Sequence, residues 1–445
     1  MSILRRMAGP LVVVWALLVP MPAMAHGIGG RLDLPVPVSY FAIGAALVVA
    51  LSFALLAALW PRPRLQDGPR YGAWRAPWLR YVTGLARVVG VLSLLLVLGA
   101  GLAEWLAGAE GTTIAPVLVW VVFWLVVPFS SAVLGDTYTV LNPWRTVAAA
   151  TRLGNEERPG MSRRWGVWPA TFLFFGFAWM ELIFPHSESP LALAGAALLY
   201  TAVLLTVIAI AGRDTGLGSW DMFTVYNRLF SSVSPLGRVE GQPRRRGWLR
   251  ALVVLPEWPG LWAFVVMTIG TVSYDGLKAA SWWPGWGMAA QTAAMGGIVL
   301  VLGGAYLGAS TVANRMTGGA STTLKVAQRF AHTLVPIGMA YAVAHYFTLV
   351  IFEGQQLLST LSDPFGLGWD LFGTAARKVD FFIRRPEPIW YLQVGVIVTG
   401  HVTGVVLAHD RALADFEGAA AVRSQYAMLV LMVLLTSLGL VILAG

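Results

Sequence analysis

Apolar stretches long enough to cross a bilayer recur from one end of the chain to the other, and nothing else in the sequence constrains the fold as strongly. A hydrocarbon core of about 30 Å needs about 20 residues of helix. Ten stretches meet that length, at approximately 39–60, 82–106, 114–134, 166–184, 191–211, 251–274, 288–309, 329–352, 390–409 and 424–444, the sixth interrupted by Pro256 and Pro259. No polar block between them is large enough to fold as a soluble domain. Charged residues make up only 12% of the chain and mean hydropathy is +0.69, whereas soluble domains carry about 25% charge. The sequence therefore predicts an all-α polytopic transmembrane helix bundle of about ten spans, with the lipid bilayer as its principal partner.

The first 25 residues have another character. Arg5 and Arg6 precede an apolar run from Leu11 to Val19, and Ala23-Met24-Ala25 has the small-x-small pattern of a signal peptidase site. Residues 1–25 are thus expected to be a cleaved signal peptide and 26–445 a single membrane domain, with His26 as the mature N-terminus, outside. An uncleaved anchor helix is the rival reading, against which the apolar core is short.

Basic residues then orient the spans. With the mature N-terminus outside, about 22 of them fall in inside connections and about six outside, the asymmetry of the positive-inside rule. The richest inside connection carries Arg213, Arg228, Arg238, Arg244, Arg245, Arg246 and Arg250. The net charge of +9 is accounted for by arginines beside anionic headgroups and needs no nucleic-acid partner.

An internal repeat follows three of the spans. Asp136-Thr-Tyr-Thr139-Val140-Leu-Asn142 is echoed by Asp221-Met-Phe-Thr224-Val225-Tyr-Asn227 and, without the Asp, by Thr311-Val312-Ala-Asn314-Arg315, at intervals of 85 and 87 residues. The pattern suggests a repeated helical hairpin. Thr, Asn and Asp suit the N-terminus of a short interfacial helix, with Arg145 or Arg228 reaching headgroups; a cytoplasmic ligand site is the other reading.

Ionisable residues at membrane depth are costly and point to function. His332 and His345 share the eighth span, about 20 Å apart along the helix, and His401 and His409 share the ninth, about 12 Å apart. Because these spans are antiparallel, His345 is expected to approach His401 in depth and His332 to lie level with His409. The deep pair has three readings: packing through hydrogen bonds to carbonyls; a metal site completed by carboxylates among Glu104, Glu181, Asp275 and Glu353 or by the terminus with His26 and Asp33; or the axial ligands of one haem. His332 and His409 read as headgroup-level residues, and His186 as an exposed loop residue near Glu181.

The longest outer connection, about 353–389, is long enough to fold over the outer face as a lid. Trp282, Trp283 and Trp286 read as interfacial anchors rather than a substrate cage. Absence of cysteine excludes disulfides, thiolate metal sites and cysteine nucleophiles. No serine-hydrolase elbow, P-loop, dinucleotide fingerprint or H-E-x-x-H motif occurs in a credible context.

Several segments resemble a family of bacterial integral membrane proteins labelled fenitrothion hydrolase: His26-Gly-Ile-Gly-Gly-Arg31-Leu-Asp33-Leu-Pro35, Leu141-Asn-Pro-Trp-Arg145, Phe330-Ala-His332-Thr-Leu-Val-Pro, Ala344-His345-Tyr346-Phe, Ser362-Asp363-Pro364-Phe365-Gly366 and Arg423-Ser-Gln-Tyr. The resemblance spans nearly the whole mature chain. It implies hydrolysis of an apolar aryl phosphotriester or phosphorothioate ester in the bacterial plasma membrane, and brings no catalytic residues with it. The residues offer that chemistry a mechanism, in which a divalent zinc or copper held by His26, His345 and His401 polarises the phosphoryl oxygen and lowers the pKa of a bound water to about 7. Asp275 or Glu181 would take the water's proton or complete the shell. A haem- or copper-binding redox protein and a transporter are the alternative classes.

Overall fold

The computed structural model describes residues 37–445 apart from 68–69, 74–78, 109–111, 240–241, 281, 320, 382–386 and 445. The expected signal peptide, His26 and Asp33 lie outside the described residues.

Eight helices are long and apolar enough to cross a membrane. They are α1 (Val38–Leu59), α2 (Leu79–Ala107), α3 (Ile114–Leu134), α6 (Pro190–Ala211), α10 (Met288–Met316), α11 (Thr323–Phe352), α12 (Glu387–Asp415) and α13 (Tyr426–Ala444). Among the remaining helices are α4 (Pro143–Ala150), α5 (Trp168–Leu182), α7 (Arg213–Trp220), α8 (Met222–Val233) and α9 (Leu261–Lys278). The protein is a multi-pass helical membrane protein.

Two expected spans are shorter than their apolar stretches. The fourth becomes α5, 15 residues, and the sixth becomes α9, 18 residues. At 1.5 Å per residue these are about 22 and 27 Å long. The sixth is also displaced: Arg250–Val253 forms a separate turn of helix, because Pro256 and Pro259 lack the N–H that a continuous helix needs, and Gly260 reverses the chain at φ +87° before α9 begins.

With lipid as solvent, close packing rather than hydrophobic burial joins helices, so small residues mark the seams. Gly400 and Gly404 of α12 lie against the Pro336 and Thr333 carbonyls of α11, and a Cβ on Gly400 would stand 2.3 Å from Ala340 Cβ. Gly101 of α2 meets Ala194 of α6 at the same separation. Large apolar side chains such as Leu85, Phe172, Leu199 and Leu300 point outward, where lipid replaces water. In α3 the segment Val117–Val126 is wound as a π-helix; Pro128 cannot donate to the Trp124 carbonyl and its ring crowds it, which favours the wider turn.

The arginine-rich end carries a small antiparallel sheet of β1 (Gly72–Ala73), β2 (Leu236–Val239) and β3 (Gln242–Arg245), in the order β1-β3-β2 with Gly72 and Leu236 both paired to Arg245. It clasps two connections far apart in sequence.

Two copies of the repeat do not lie at the interface. After Gly135, at φ +81°, the chain turns back into the bundle, where the Thr137 hydroxyl donates to the Val127 carbonyl at 3.2 Å. The Leu141 carbonyl occupies the space where a Cβ on Gly90 would stand, and the Trp144 indole donates to Thr201 Oγ1 at 2.9 Å. Gly90 and Thr201 lie near the middle of α2 and α6. In the second copy, α7 runs inward and α8 returns, with Asp221 between them. Their tips meet: Asn142 Nδ2 donates to Asp221 Oδ2 at 2.8 Å.

The motif residues do cap helices, as expected, since Asn142 accepts from Arg145 N and Asp221 from Phe223 N. Both arginines have partners in the protein: Arg145 pairs with the largely exposed Asp214 at 2.8 Å, and Arg228 lies over the Trp258 ring at 5.5 Å. The third copy stays in the last turn of α10, where Asn314 Nδ2 donates to the Ser321 carbonyl. It lacks the aspartate that would anchor a tip.

Candidate functional site

At the end of the bundle opposite the arginines, α5 and α9 each finish with a carboxylate in the last turn. These are Glu181 and Asp275. Such a pair is electrostatically costly, since the C-terminus of a helix already carries about half a negative charge. The fold answers with hydrogen-bond donors. His345 of α11 brings Nε2 to 2.9 Å from Asp275 Oδ2, and Lys278 donates to the Leu182 carbonyl one residue beyond Glu181.

Tyr346 also turns its hydroxyl to Asp275, while its ring meets that of His345 edge-on at 4.8 Å. Glu181 Oε2 and Trp124 Nε1 are buried side by side, short of a well-formed hydrogen bond. Trp124, on the π-wound part of α3, stacks on Tyr226 of α8 at 4.9 Å. Five elements thus enclose one acid–base cluster. Its Asp–His pair is not sealed: the two side chains keep 24% and 18% of their surface exposed.

A neutral His345 donates Nε2–H to the carboxylate and keeps its lone pair on Nδ1. Taking a proton there yields an imidazolium already paired with Asp275. This arrangement can pass a proton through the imidazole without leaving a bare buried charge.

His345 and His401 do not form the expected deep pair. Gln393 Nε2 donates to the Ala344 carbonyl at 2.7 Å, which places Gln393, not His401, level with His345. His401 lies eight residues further along α12, about 12 Å. Glycine packing sets this register, because only the alignment of Gly400 and Gly404 on Pro336 and Thr333 lets the backbones approach. His401 Nδ1 donates instead to the Ile397 carbonyl at 2.9 Å. A metal shared by the two histidines does not fit this geometry, nor does a haem between them. Among the described residues no group of three or more His, Asp or Glu side chains is placed to hold a metal ion.

The other candidates have local duties. Glu104 accepts from Leu191 N at 2.7 Å and from the Ser189 hydroxyl, holding the start of α6. Glu353 is bonded by Gln356. His186 is exposed beside Phe184. His409 lies between Gln425 Oε1 and the Trp60 carbonyl, 3.0 Å from each, and His332 Nδ1 donates to the Arg329 carbonyl. His332 and His409 are both buried within the protein, and His409 is covered by the chain just beyond the end of α1.

The long connection after α11 folds onto the same end. Gln355 bonds both backbone groups of Asp380, Pro364 accepts from Ile114 N, and Phe365 fills the space above Gly99 of α2. Asp363 takes the amides of Leu367 and Gly368. Trp283 packs edge-on to Tyr274, and Trp282 and Trp286 are exposed.

Sequence reasoning singled out Glu181, Asp275 and His345 but not Tyr346, Tyr226 or Trp124. Tyr346 stood beside a chosen histidine; Tyr226 and Trp124 gave no signal, since re-entry and π winding bring them in. Comparison of the chain with protein-family models, curated proteins and solved structures finds no match.

Proposed function

We propose that the protein is a proton-conducting membrane transport protein, with Asp275, His345 and Glu181 as its proton-exchanging centre. The observation that carries this reading is the partly open Asp275–His345 pair beside a second carboxylate, at the negative ends of two helices. Intramembrane acid–base groups of this kind mark proton relays. The re-entrant tips at mid-bundle support it too, because broken helices in lipid persist where they line a path or are enclosed by protein. In the orientation that goes with this reading, the chain sits in a bacterial plasma membrane with the arginine-rich end in the cytoplasm and the centre facing outward.

The test is proton flux into vesicles holding the purified protein, driven by a potassium diffusion potential and read with an entrapped pH dye. Flux above protein-free vesicles that Asp275→Asn removes is the expected result. Flux equal to protein-free vesicles overturns the reading.

The Asp–His pair also favours a second reading, hydrolysis of an apolar aryl phosphotriester. There Asp275 orients the imidazole and His345 Nδ1 takes a proton from the attacking water, roles shifted from those expected of the two residues. Metal assistance would draw on His26 with one imidazole and the carboxylates of this mouth. Metal analysis of the purified protein, with release of a coloured phenolate as the activity readout, tests that version; no product above buffer rejects it.

A further inference from the structure

Among the described residues, His409 is the histidine with an acceptor at each ring nitrogen. Nδ1 lies 3.0 Å from Gln425 Oε1, and Nε2 lies 3.0 Å from the Trp60 carbonyl oxygen. A neutral imidazole carries one N–H and one lone pair, so in either tautomer a lone pair would face an oxygen. Turning the Gln425 amide over brings no relief. Its Nε2 donates to the Ala421 carbonyl at 2.7 Å, and the exchange would set Oε1 against that oxygen. With only 1% of His409 exposed, the form that satisfies both oxygens is the imidazolium, a donor at both nitrogens.

The next residue balances the charge. Asp410 is wholly buried, and among the described residues its carboxylate accepts only from neutral groups: the Trp60 indole, the Arg64 and Leu65 amides and the Gln66 side chain. A buried carboxylate without a cation is costly. His409 takes the carbonyl of Trp60 and Asp410 takes its indole, so an imidazolium beside this carboxylate leaves the pair neutral. The other charges on the surrounding elements are engaged or solvated. Arg64 lies over the Trp60 ring at 4.7 Å, Arg411 donates to the Val253 carbonyl, and Glu417 and Arg423, on the connection to α13, are exposed. Phe53 of α1 meets the imidazole edge-on at 6.5 Å and brings no charge.

We infer that His409 is a proton-binding site, whose proton ties Trp60 to Gln425, balances Asp410 and so latches the segment 60–66 onto the arginine-rich end of α12. When the proton passes to a base in the buffer, one ring nitrogen is left bare against an oxygen and the pair changes from neutral to a single negative charge. A buried carboxylate without its counter-charge gains by hydration, so the segment that supplies its donors loosens. The site stands on this geometry alone and does not depend on the proton-exchange reading.

Solid-state NMR of the full chain in lipid bilayers, with nitrogen-15 in its histidines, separates the imidazolium, in which both ring nitrogens are protonated, from the neutral ring. In mildly acidic buffer the wild type should show an imidazolium signal that His409→Phe lacks. As rising pH converts that signal to the neutral form, hydrogen exchange at the Arg64 and Leu65 amides, corrected for the intrinsic effect of pH, should quicken at least tenfold. Gln425→Leu, which removes one acceptor, should hold His409 neutral in the buffer where the wild type is charged, and it serves as the test if His409→Phe does not fold. A wild type with no imidazolium signal that either variant loses, an imidazolium retained in Gln425→Leu, or exchange that stays unchanged as the proton is lost overturns the latch.

Discussion

Gln393 and Ala344 are joined by a 2.7 Å hydrogen bond across the seam of α12 and α11, and that bond separates two histidines that the sequence alone would pair. Once Gln393 occupies the level of His345, one imidazole serves the Asp275 centre and the other bonds the Ile397 carbonyl of its own helix. The two imidazoles are thereby kept at two depths.

The seam should tolerate no added volume. Gly400→Ala would bring a methyl to 2.3 Å from Ala340 Cβ and 2.7 Å from the Pro336 carbonyl, and overpacking of this kind costs about 1–3 kcal/mol. Thermal unfolding in detergent should show a clearly lowered midpoint. Gly395→Ala on the same helix, where the added Cβ meets nothing within 4 Å, should leave the midpoint unchanged.

Replacing Asp275 by Asn should reduce proton flux by about 10²-fold or more, the usual scale of a positioned acid–base group, because an imidazolium at His345 would lose its counter-ion. His345→Gln, which keeps a hydrogen-bonding group but does not titrate, should cost a similar factor. Retained flux in both would show the pair to be structural.

Asp221 anchors the two re-entrant tips by accepting from Tyr200, Asn142, Thr224, Tyr138 and the Phe223 amide. Asp221→Ala leaves those donors buried and unpaired, at about 1–3 kcal/mol each where no rearrangement satisfies them. The variant should lose its monodisperse elution in gel filtration. Asp221→Asn, which keeps two polar atoms of the same size, should lose less.

Asp370, in the connection that folds over the outer end, is held below the usual carboxylate range by the Ala375 amide and then by the Ser362 hydroxyl. A folded pKa below the unfolded one contributes stability that is present above the unfolded value, near 3.8, and lost as pH falls through the folded value. Hydrogen exchange at Ala375 should therefore quicken on acidification below about pH 4, and Asp370→Asn should exchange quickly already at neutral pH. Unchanged exchange in the variant would show that the carboxylate does not hold the turn.

Helix class and eight of the ten expected spans were legible because apolar length is a local property, as the long uncharged runs of α1, α6 and α13 illustrate. The shortening of α9 was partly legible in Pro256 and Pro259. Re-entry was not, because residues 136–142 and 213–227 are polar enough to pass for surface loops, and only Asp221, with donors from three other elements, shows why they belong inside. The Asp275–His345 contact joins residues 70 positions apart; the cost of ionisable groups in lipid named its members, and no spacing rule could pair them. His401 was found by the same cost argument and assigned the wrong neighbour, since register depends on which glycines meet which carbonyls.

The shortness of α5 and α9 bears on the bilayer as much as on the protein. A hydrocarbon layer of about 30 Å cannot meet helices of about 22 and 27 Å without thinning or admitting water, and both helices end at the carboxylates of the centre. Glu181 and Asp275 can therefore belong to the interior of the bundle by sequence position while the membrane beside them is locally dimpled. A proton leaving His345 would then have only a short distance to travel to bulk water, on a surface that the lipid itself helps to shape.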